Sequence, residues 1–372
     1  MTPKTEAELA DAIASAKTPL RIIGGGTRPI GNPVAGEVLS TSALTGIELY
    51  EPGALTIVAK SGTPLSKIET ALSKENQRLA FEPMDHRALL GTTGDPTIGG
   101  VVAGNISGPR RVQAGACRDH MLGVRFVDGT GTVLKNGGRV MKNVTGYDLV
   151  KLLTGSYGTL GVMSEVALKV LPKTDTQATV MIHGLPIARA VKAMSAALGS
   201  PYEVSAAAHM PGDSPVTMLR VEGFEKSVAY RCDQLKDTLA EFGEITVETD
   251  PAKSAKIWSA SRDVAGFHNA EGDVWRISVK PTDGAHLAGK LGTDTFFMDW
   301  GGGLIWAVVP AGTDLRAKMN GTPGHATLIR ADEATRAKLD VFHPELAPIA
   351  KVSAGLRAKF DPKGILNPGL MA

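Results

Sequence analysis

Arg21-Ile22-Ile23-Gly24-Gly25-Gly26-Thr27-Arg28-Pro29 is the stretch on which the reading of this chain turns. Three glycines follow a short β-branched run, and a hydroxyl and a cation come directly after. Lacking a Cβ, glycine lets backbone N–H groups crowd a ligand and take positive φ. Successive N–H groups aimed into one concavity make an anion nest, a usual seat for phosphate or pyrophosphate. Two familiar nucleotide motifs fail on spacing. A dinucleotide fingerprint needs G-x-G-x-x-G, and Pro29 holds the place of its third glycine. An ATP or GTP loop needs Gly-Lys-Ser/Thr after four variable residues, and no such lysine follows. On these nine residues alone, a glycine turn between two strands stands as an equal reading.

Bulk properties narrow the class. The 372 residues exceed one ordinary core and call for two or three domains. With 43% hydrophobic and 21% charged residues the chain is of globular type, and a net charge of +2 supplies no strong nucleic-acid field. The two cysteines, Cys117 and Cys232, lie far apart, which argues against disulfide scaffolds and cysteine-ligated clusters and favours a cytoplasmic setting. A polar start, Met1-Thr2-Pro3-Lys4-Thr5-Glu6, lacks a signal-peptide core, and no apolar run reaches 18 residues.

Three zones follow along the chain. Residues 1–173 alternate short strands and helices: an amphipathic helix over Glu6–Ala16, strands at Arg21–Ile23 and Leu55–Ala59, and a helix from Thr63-Pro64 to about Asn76. Asp128-Gly129-Thr130-Gly131 reads as a hairpin turn between Val124–Val127 and Val133–Leu134, and Val162–Val170 as a closing strand. Residues 174–332 spell β-α-β-β-α-β, the ferredoxin-like order, and after a helix around Lys253–Val264 spell it again. That implies two ferredoxin-like halves sharing one antiparallel sheet. Residues 333–372 form a helix to about Phe360 and a tail, Asp361-Pro362-Lys363-Gly364-Ile365-Leu366-Asn367-Pro368-Gly369.

Further segments repeat the backbone-exposing chemistry of the opening loop. They are Thr92–Gly100 running into Val101–Asn105, then Gly108-Pro109-Arg110-Arg111, then Lys142–Asp148, then Gly155–Val162. A large, flat, polar ligand buried along its length needs small residues from separated segments in this way.

On these residues the first zone resembles the FAD-binding domain of the vanillyl-alcohol oxidase / p-cresol methylhydroxylase (PCMH) superfamily. The combination Ser107-Gly108-Pro109-Arg110-Arg111, Val140–Asp148 and Gly155-Ser156-Tyr157-Gly158 is similar to the E-type FAD-binding subunits of bacterial glycolate oxidases. The resemblance implies an α+β fold: a PCMH-type FAD-binding domain of two α+β subdomains at 1–173, an antiparallel cap domain at 174–332, and a tail at 333–372 returning to the flavin domain. It implies noncovalent FAD held first by Ile23, Gly24, Gly25, Gly26, Thr27 and Pro29. A second group is Pro83, Gly94, Thr97, Ile98, Gly99, Gly100, Ala103, Asn105 and Gly108, and a third is Gly155, Gly158, Thr159, Gly161 and Val162.

Departures from the wider superfamily carry information too. Members that tether FAD covalently often place a histidine beside the pyrophosphate loop, where this chain has Thr27; Cys117 is a lesser candidate tether. Related D-2-hydroxyacid dehydrogenases carry a His-Gly-Asp-Gly-Asn-x-x-His type metal motif, and the eight dispersed histidines here contain nothing like it. No metal is expected and no catalytic base is assigned. His120, Arg110, Arg111 and Arg118 are candidates to meet a substrate carboxylate or hydroxyl, against a plainer reading as surface charge or cofactor-positioning groups. Lys142, Asn143 and Asp148 divide in the same way between flavin contacts and a polar hairpin, and Asn367 between a flavin amide and a chain-end cap.

The resemblance implies one FAD-containing subunit of a hetero-oligomeric glycolate oxidase, auxiliary or electron-transferring, converting glycolate to glyoxylate. Its partners would be a metal-motif-bearing flavoprotein subunit and an iron–sulfur subunit, in the cytoplasm or peripheral at the inner membrane through them. The alternatives are a self-sufficient FAD-dependent 2-hydroxyacid dehydrogenase without a metal site, and a flavin-free scaffold.

Overall fold

A computed structural model describes residues 1–139 and 146–372. Lys142 and Asn143 lie outside the described residues. The chain divides into two compact units: one from Met1–Ser107, Gly115–Lys173 and Pro344–Ala372, the other from Gly108–Ala114 and Thr174–His343.

The first unit opens with helix α1, Glu6–Ser15, capped by Thr5, whose hydroxyl accepts from the Glu8 N–H at 3.1 Å. Leu9 and Ile13, four apart and so on one face, are both fully buried. Strand β1, Leu20–Ile23, pairs in parallel with β2, Glu37–Ser40. The tail joins on its other side: Leu20 N–H donates to the Ile365 carbonyl and Asn367 N–H to the Leu20 carbonyl. A five-stranded antiparallel sheet follows, from β3 (Ile47–Glu51), β4 (Thr56–Lys60), β5 (Met121–Val127), β6 (Val133–Gly137) and β7 (Val162–Lys169), in the order β3-β4-β7-β5-β6. The turn between β5 and β6 closes as its glycines require, with Gly131 N–H bonded to the Asp128 carbonyl. Helix α2, Leu65–Lys74, buries Leu65, Ile68 and Leu72, and the short helix α3, Ile98–Ala103, buries four of its six residues. The C-terminal helix Ala347–Phe360 buries no residue fully; its Phe360 ring meets Phe126 at 6.1 Å.

The second unit is one eight-stranded antiparallel sheet. Its first half is β8 (Thr176–His183), α4 (Ile187–Leu198), β9 (Ala206–Met210), β10 (Val216–Gly223), α5 (Glu225–Thr238) and β11 (Ile245–Glu248). Helix α6, Pro251–Arg262, leads to the second half: β12 (Asp273–Val279), α7 (Pro281–Ala288), β13 (Phe296–Asp299), β14 (Leu304–Val309), α8 (Leu315–Met319) and β15 (Gly324–Arg330). The sheet order β11-β8-β10-β9-β13-β14-β12-β15 places each half in ferredoxin order, with the second reversed. The halves join where His209 of β9 pairs with Met298 of β13. The expected pair of ferredoxin-like halves in a single antiparallel sheet is what the chain forms.

One face of this sheet carries the core. Val180, Ile182, Leu219 and Val221 in the first half, and Trp275, Ile277, Ile305 and Leu328 in the second, pack with residues of the helices. Each such aliphatic side chain stabilises by roughly 1.5–3 kcal/mol on burial. On the opposite face α6 lays Trp258 against Ala206, Ala208 and Met218, with its indole N–H on the Thr179 hydroxyl at 3.0 Å.

Candidate cofactor site

The opening glycines line a cavity of about 300 Å³ in the first unit. The loop after β1 brings Ile23, Gly24, Gly25, Gly26, Thr27 and Pro29; α3 and the residue before it bring Thr97, Gly99, Gly100 and Ala103; the loop into β7 brings Gly158, Gly161 and Val162. Tyr157 and Asn367 complete that end.

Sterics explain the glycines individually. A Cβ on Gly25 would sit 1.7 Å from the Asp95 carbonyl oxygen, and one on Gly24 would sit 2.5 Å from the Thr97 hydroxyl. Those two glycines let the loop nest against the 95–100 segment. Gly26 instead has φ +69° and open space around its Cβ direction, so there the requirement is the left-handed backbone. Thr97 caps α3 by accepting from Gly100 N–H at 3.2 Å.

The remaining expected contacts are placed elsewhere. Ile98 is buried in α3, with its N–H on the Thr63 carbonyl. Gly94 lies behind the loop, where a Cβ would meet the Gly25 carbonyl at 2.6 Å. Asn105 accepts from the Arg118 N–H at 3.0 Å, and Gly155 donates to the Val102 carbonyl. Thr159 borders a second groove, along the tail, and Pro83 is buried next to Met84. Gly108 belongs to the second unit, where its carbonyl accepts from the Trp300 indole at 3.1 Å.

Two side chains that sequence reasoning named without a settled role line this cavity. Arg28 points its guanidinium inward, Nε on the His86 ring nitrogen at 3.2 Å and Nη2 on the Met84 carbonyl at 3.3 Å. Burial pushes its pKa down to about 10, with Asp85 opposing, so it is a cation at neutral pH. Asn367 is the second: its amide donates to the Tyr157 carbonyl at 2.8 Å and its oxygen accepts from Ile22 N–H at 2.8 Å. One side chain thus ties β1 to the loop before β7. The Arg-Pro pair and the Asn-Pro-Gly tail were the available signals.

The charge of the lining decides what the cavity suits. Among the described residues its charged lining side chains are Arg21 and Arg28, with no Asp or Glu. Glycine N–H groups, hydroxyls of Thr27, Thr41, Ser61 and Thr97, and two cations suit an anionic, elongated ligand such as a nucleotide diphosphate. Among the described residues no histidine or cysteine lines the cavity. Cys117 is fully buried, and desolvation pushes its thiol pKa well up, so the thiol is no tether.

The other candidates resolve differently. Arg110 is neither a surface charge nor a cofactor cation: it is buried and forms a two-pronged ion pair with Glu222 inside the second unit. Arg118 is a surface residue with Asp119 3.8 Å away. His120 is buried with its ring 5.5 Å from Phe81. Asp148 caps the short helix Leu149–Leu153 and pairs with Lys151 at 2.8 Å. Arg111 stacks on Trp300. Among the described residues no group of three His, Cys, Asp or Glu side chains converges as a metal site, and no helix is long and apolar enough to cross a membrane.

The chain is similar to known proteins. A family model described as FAD binding domain matches residues 1–137. Over 367 residues the chain is 33% identical to glycolate oxidase subunit GlcE of Escherichia coli (strain K12), spanning 98% of this chain and 95% of that one. The chain belongs to the FAD-binding family that contains GlcE. It is an FAD-dependent oxidoreductase, and the cavity lining agrees with noncovalent FAD. D-lactate dehydrogenase of Anaerostipes hadrus is 31% identical over 169 residues, 45% of this chain and 34% of that protein. A solved alkyldihydroxyacetonephosphate synthase aligns at TM-score 0.72 and 16% identity, covering 99% of this chain and 76% of that one, which shows a shared fold.

Proposed function

We propose that the chain oxidises glycolate, a 2-hydroxy acid, to glyoxylate as the FAD-binding subunit of a hetero-oligomeric oxidase, in an auxiliary or electron-transferring role. The observation that carries the reading is the glycine-built, cation-lined cavity in a chain similar along its whole length to a glycolate oxidase subunit. In the bound state, the backbone of Gly24–Thr27 and the segment Thr97–Gly100 would hold the diphosphate, and Arg28 would balance its charge. When bound, flavin would supply the redox chemistry that amino acids lack, taking up the two electrons and two protons released as a hydroxyl-bearing carbon becomes a carbonyl. The protein's share is to orient the cofactor and keep water from it.

The proposed partners are a metal-motif-bearing flavoprotein subunit and an iron–sulfur subunit. Support comes from the word subunit in the relative's name and from this chain's two separated cysteines, too few to ligate a cluster. Peripheral attachment at an inner membrane through those partners completes the proposal.

The test is to purify the chain alone, loaded with FAD. A flavin spectrum with little glycolate turnover, rising when partner subunits are added, is the expected result. Robust turnover without partners would sink the auxiliary role. A colourless protein that takes up no FAD would remove the whole reading.

A further inference from the structure

The tail of the first unit is held in two different ways on either side of Leu366. Up to that residue, apolar burial fixes it. Ile365 and Leu366 sit in one buried cluster with Leu9, Ile13, Leu20 and Leu39. Leu20 N–H donates to the Ile365 carbonyl at 2.7 Å, and the Asp361 carboxylate accepts from Leu366 N–H at 2.7 Å. Beyond Leu366 every apolar side chain keeps some exposure, and hydrogen bonds hold the chain instead. Asn367-Pro368-Gly369-Leu370 closes as a tight turn, with Leu370 N–H on the Asn367 carbonyl at 3.2 Å and Gly369 at φ +76°. Proline before a positive-φ glycine pre-sets such a turn, so the four residues move as one piece. Asn32 fastens its far side: the backbone N–H donates to the Leu370 carbonyl at 2.9 Å, and the side-chain amide to the Gly369 carbonyl at 3.2 Å. Gly31 makes the room, since a Cβ there would lie 2.7 Å from the Leu370 side chain.

This turn is one wall of the cofactor cavity. Asn367 and Leu370 line the cavity of about 300 Å³, while Asn367, Pro368, Gly369 and Met371 border the tail groove of about 440 Å³. Strain is stored where the wall meets the next loop. Tyr157, also in the lining, has φ +51°, which a bulky residue adopts only under constraint. Its N–H is bonded to the Ala103 carbonyl, and its own carbonyl takes the Asn367 amide at 2.8 Å. Swinging the turn away removes the second of these holds, and the strain relieved offsets part of the bonds lost.

We infer that residues 367–371 are a hinged strap over the cofactor cavity, turning at Leu366 and latched by Asn32, which opens for FAD to enter and leave. The inference rests on the reading of the cavity as the FAD site. A surface segment held by hydrogen bonds, beside one held by apolar burial, opens at a lower free energy than the unit unfolds. Asn32 is absent from the described residues that line the cavity, so its side chain acts on the strap and not on the ligand. Loosening the latch makes the open form commoner in the empty and the loaded protein alike. Entry and exit then speed up by the same factor, and the dissociation constant, their ratio, stays where it was. A group that touches the ligand behaves otherwise, changing exit and affinity together.

The test is stopped-flow mixing of the flavin-stripped full chain with FAD, followed by flavin fluorescence, with dilution of the loaded protein giving the exit rate. Asn32→Ala should raise both rates by about fivefold and leave the dissociation constant unchanged. Asn32→Asp, which sets a carboxylate against the Gly369 carbonyl, should raise both further. Arg28→Met, inside the cavity, should change the affinity instead. Melting temperatures report folding in each variant. Amide hydrogen exchange of the flavin-free wild type supplies a second reading. The N–H groups of Asn32 and Ile22, bonded to the strap at the Leu370 carbonyl and the Asn367 side chain, should exchange faster than that of Leu20, bonded at Ile365. Added FAD should slow the first two. Faster exit with entry unchanged, or neither rate altered by Asn32→Asp, overturns the strap, as does exchange of all three amides at one common rate. A stripped chain that takes up no FAD removes the cofactor reading, and the exchange rates alone then decide the strap.

Discussion

Gly25→Ala separates a loop that packs from a loop that merely turns. The added methyl would lie 1.7 Å from the Asp95 carbonyl oxygen and 2.8 Å from its carbon. Both are backbone atoms, so no rotamer change relieves the contact. Reaching even 3.0 Å, below which such contacts essentially never occur, requires the two loops to part by 1.3 Å (3.0 less 1.7). Overpacking of this kind costs about 3 kcal/mol at its upper range, which is two decades in affinity if it falls on the ligand-binding form. Gly26→Ala is the control: its Cβ direction is open, and the cost is the left-handed backbone at φ +69°, about 1–2 kcal/mol, or one decade.

The assay is the flavin-to-protein absorbance ratio after purification, followed by titration of the stripped protein with FAD. Melting temperatures of the flavin-free forms show whether the strain is borne by the fold or by the site. The expected order of FAD affinity is wild type, then Gly26→Ala, then Gly25→Ala. A Gly25→Ala protein that keeps wild-type flavin content and affinity would refute the reasoning, as would Gly26→Ala losing more flavin than Gly25→Ala.

Arg28→Met removes the inward cation of the cavity and should lower FAD affinity by about tenfold, read by the same titration. Glu222→Gln should destabilise more than Arg110→Leu, because it removes the buried carboxylate charge that faces both Arg110 and Arg220, the latter 3.4 Å from Glu222; about 3–5 kcal/mol in urea unfolding is the expected loss. His209 is fully buried and desolvation pulls its pKa down to about 4. The unfolded chain therefore takes up a proton near pH 6.5 that the folded one refuses until about pH 4. Stability contributed by the neutral ring is complete above pH 6.5 and falls by about 3 kcal/mol as pH drops towards 4, a slope that His209→Gln should flatten in denaturation midpoints. Asn367→Ala cuts both ties between β1 and the Tyr157 loop and should cost about 2 kcal/mol, with a parallel loss of bound flavin.

The opening loop was legible because glycine's role there is local. Gly24–Thr27 needed no partner for its chemistry to be read, although the steric need at Gly24 and Gly25 came from Asp95 and Thr97, some seventy residues away. Strand order was legible for a different reason. Two β-α-β-β-α-β runs can each bury one face by ferredoxin pairing, and joining their inner edges at β9 and β13 gives one sheet. Charge was much less legible. Arg110 and Arg111 are neighbours in sequence with equal claims on a ligand, yet one is spent on Glu222 and the other stacks on Trp300. Their roles are set by Glu222, Arg276 and Trp300, which sit on strands or turns more than a hundred residues further on and carry no local pattern of their own. Trp300 illustrates the limit most sharply: it stands just before the apolar run 304–309, which is buried strand. Its own left-handed backbone turns it out of the strand, and a local bond to the Asp299 carboxylate together with the long-range bond to the Gly108 carbonyl holds that conformation. Where a residue's conformation opposes its intrinsic preference, the long-range contacts that enforce it identify the part of the molecule most worth perturbing.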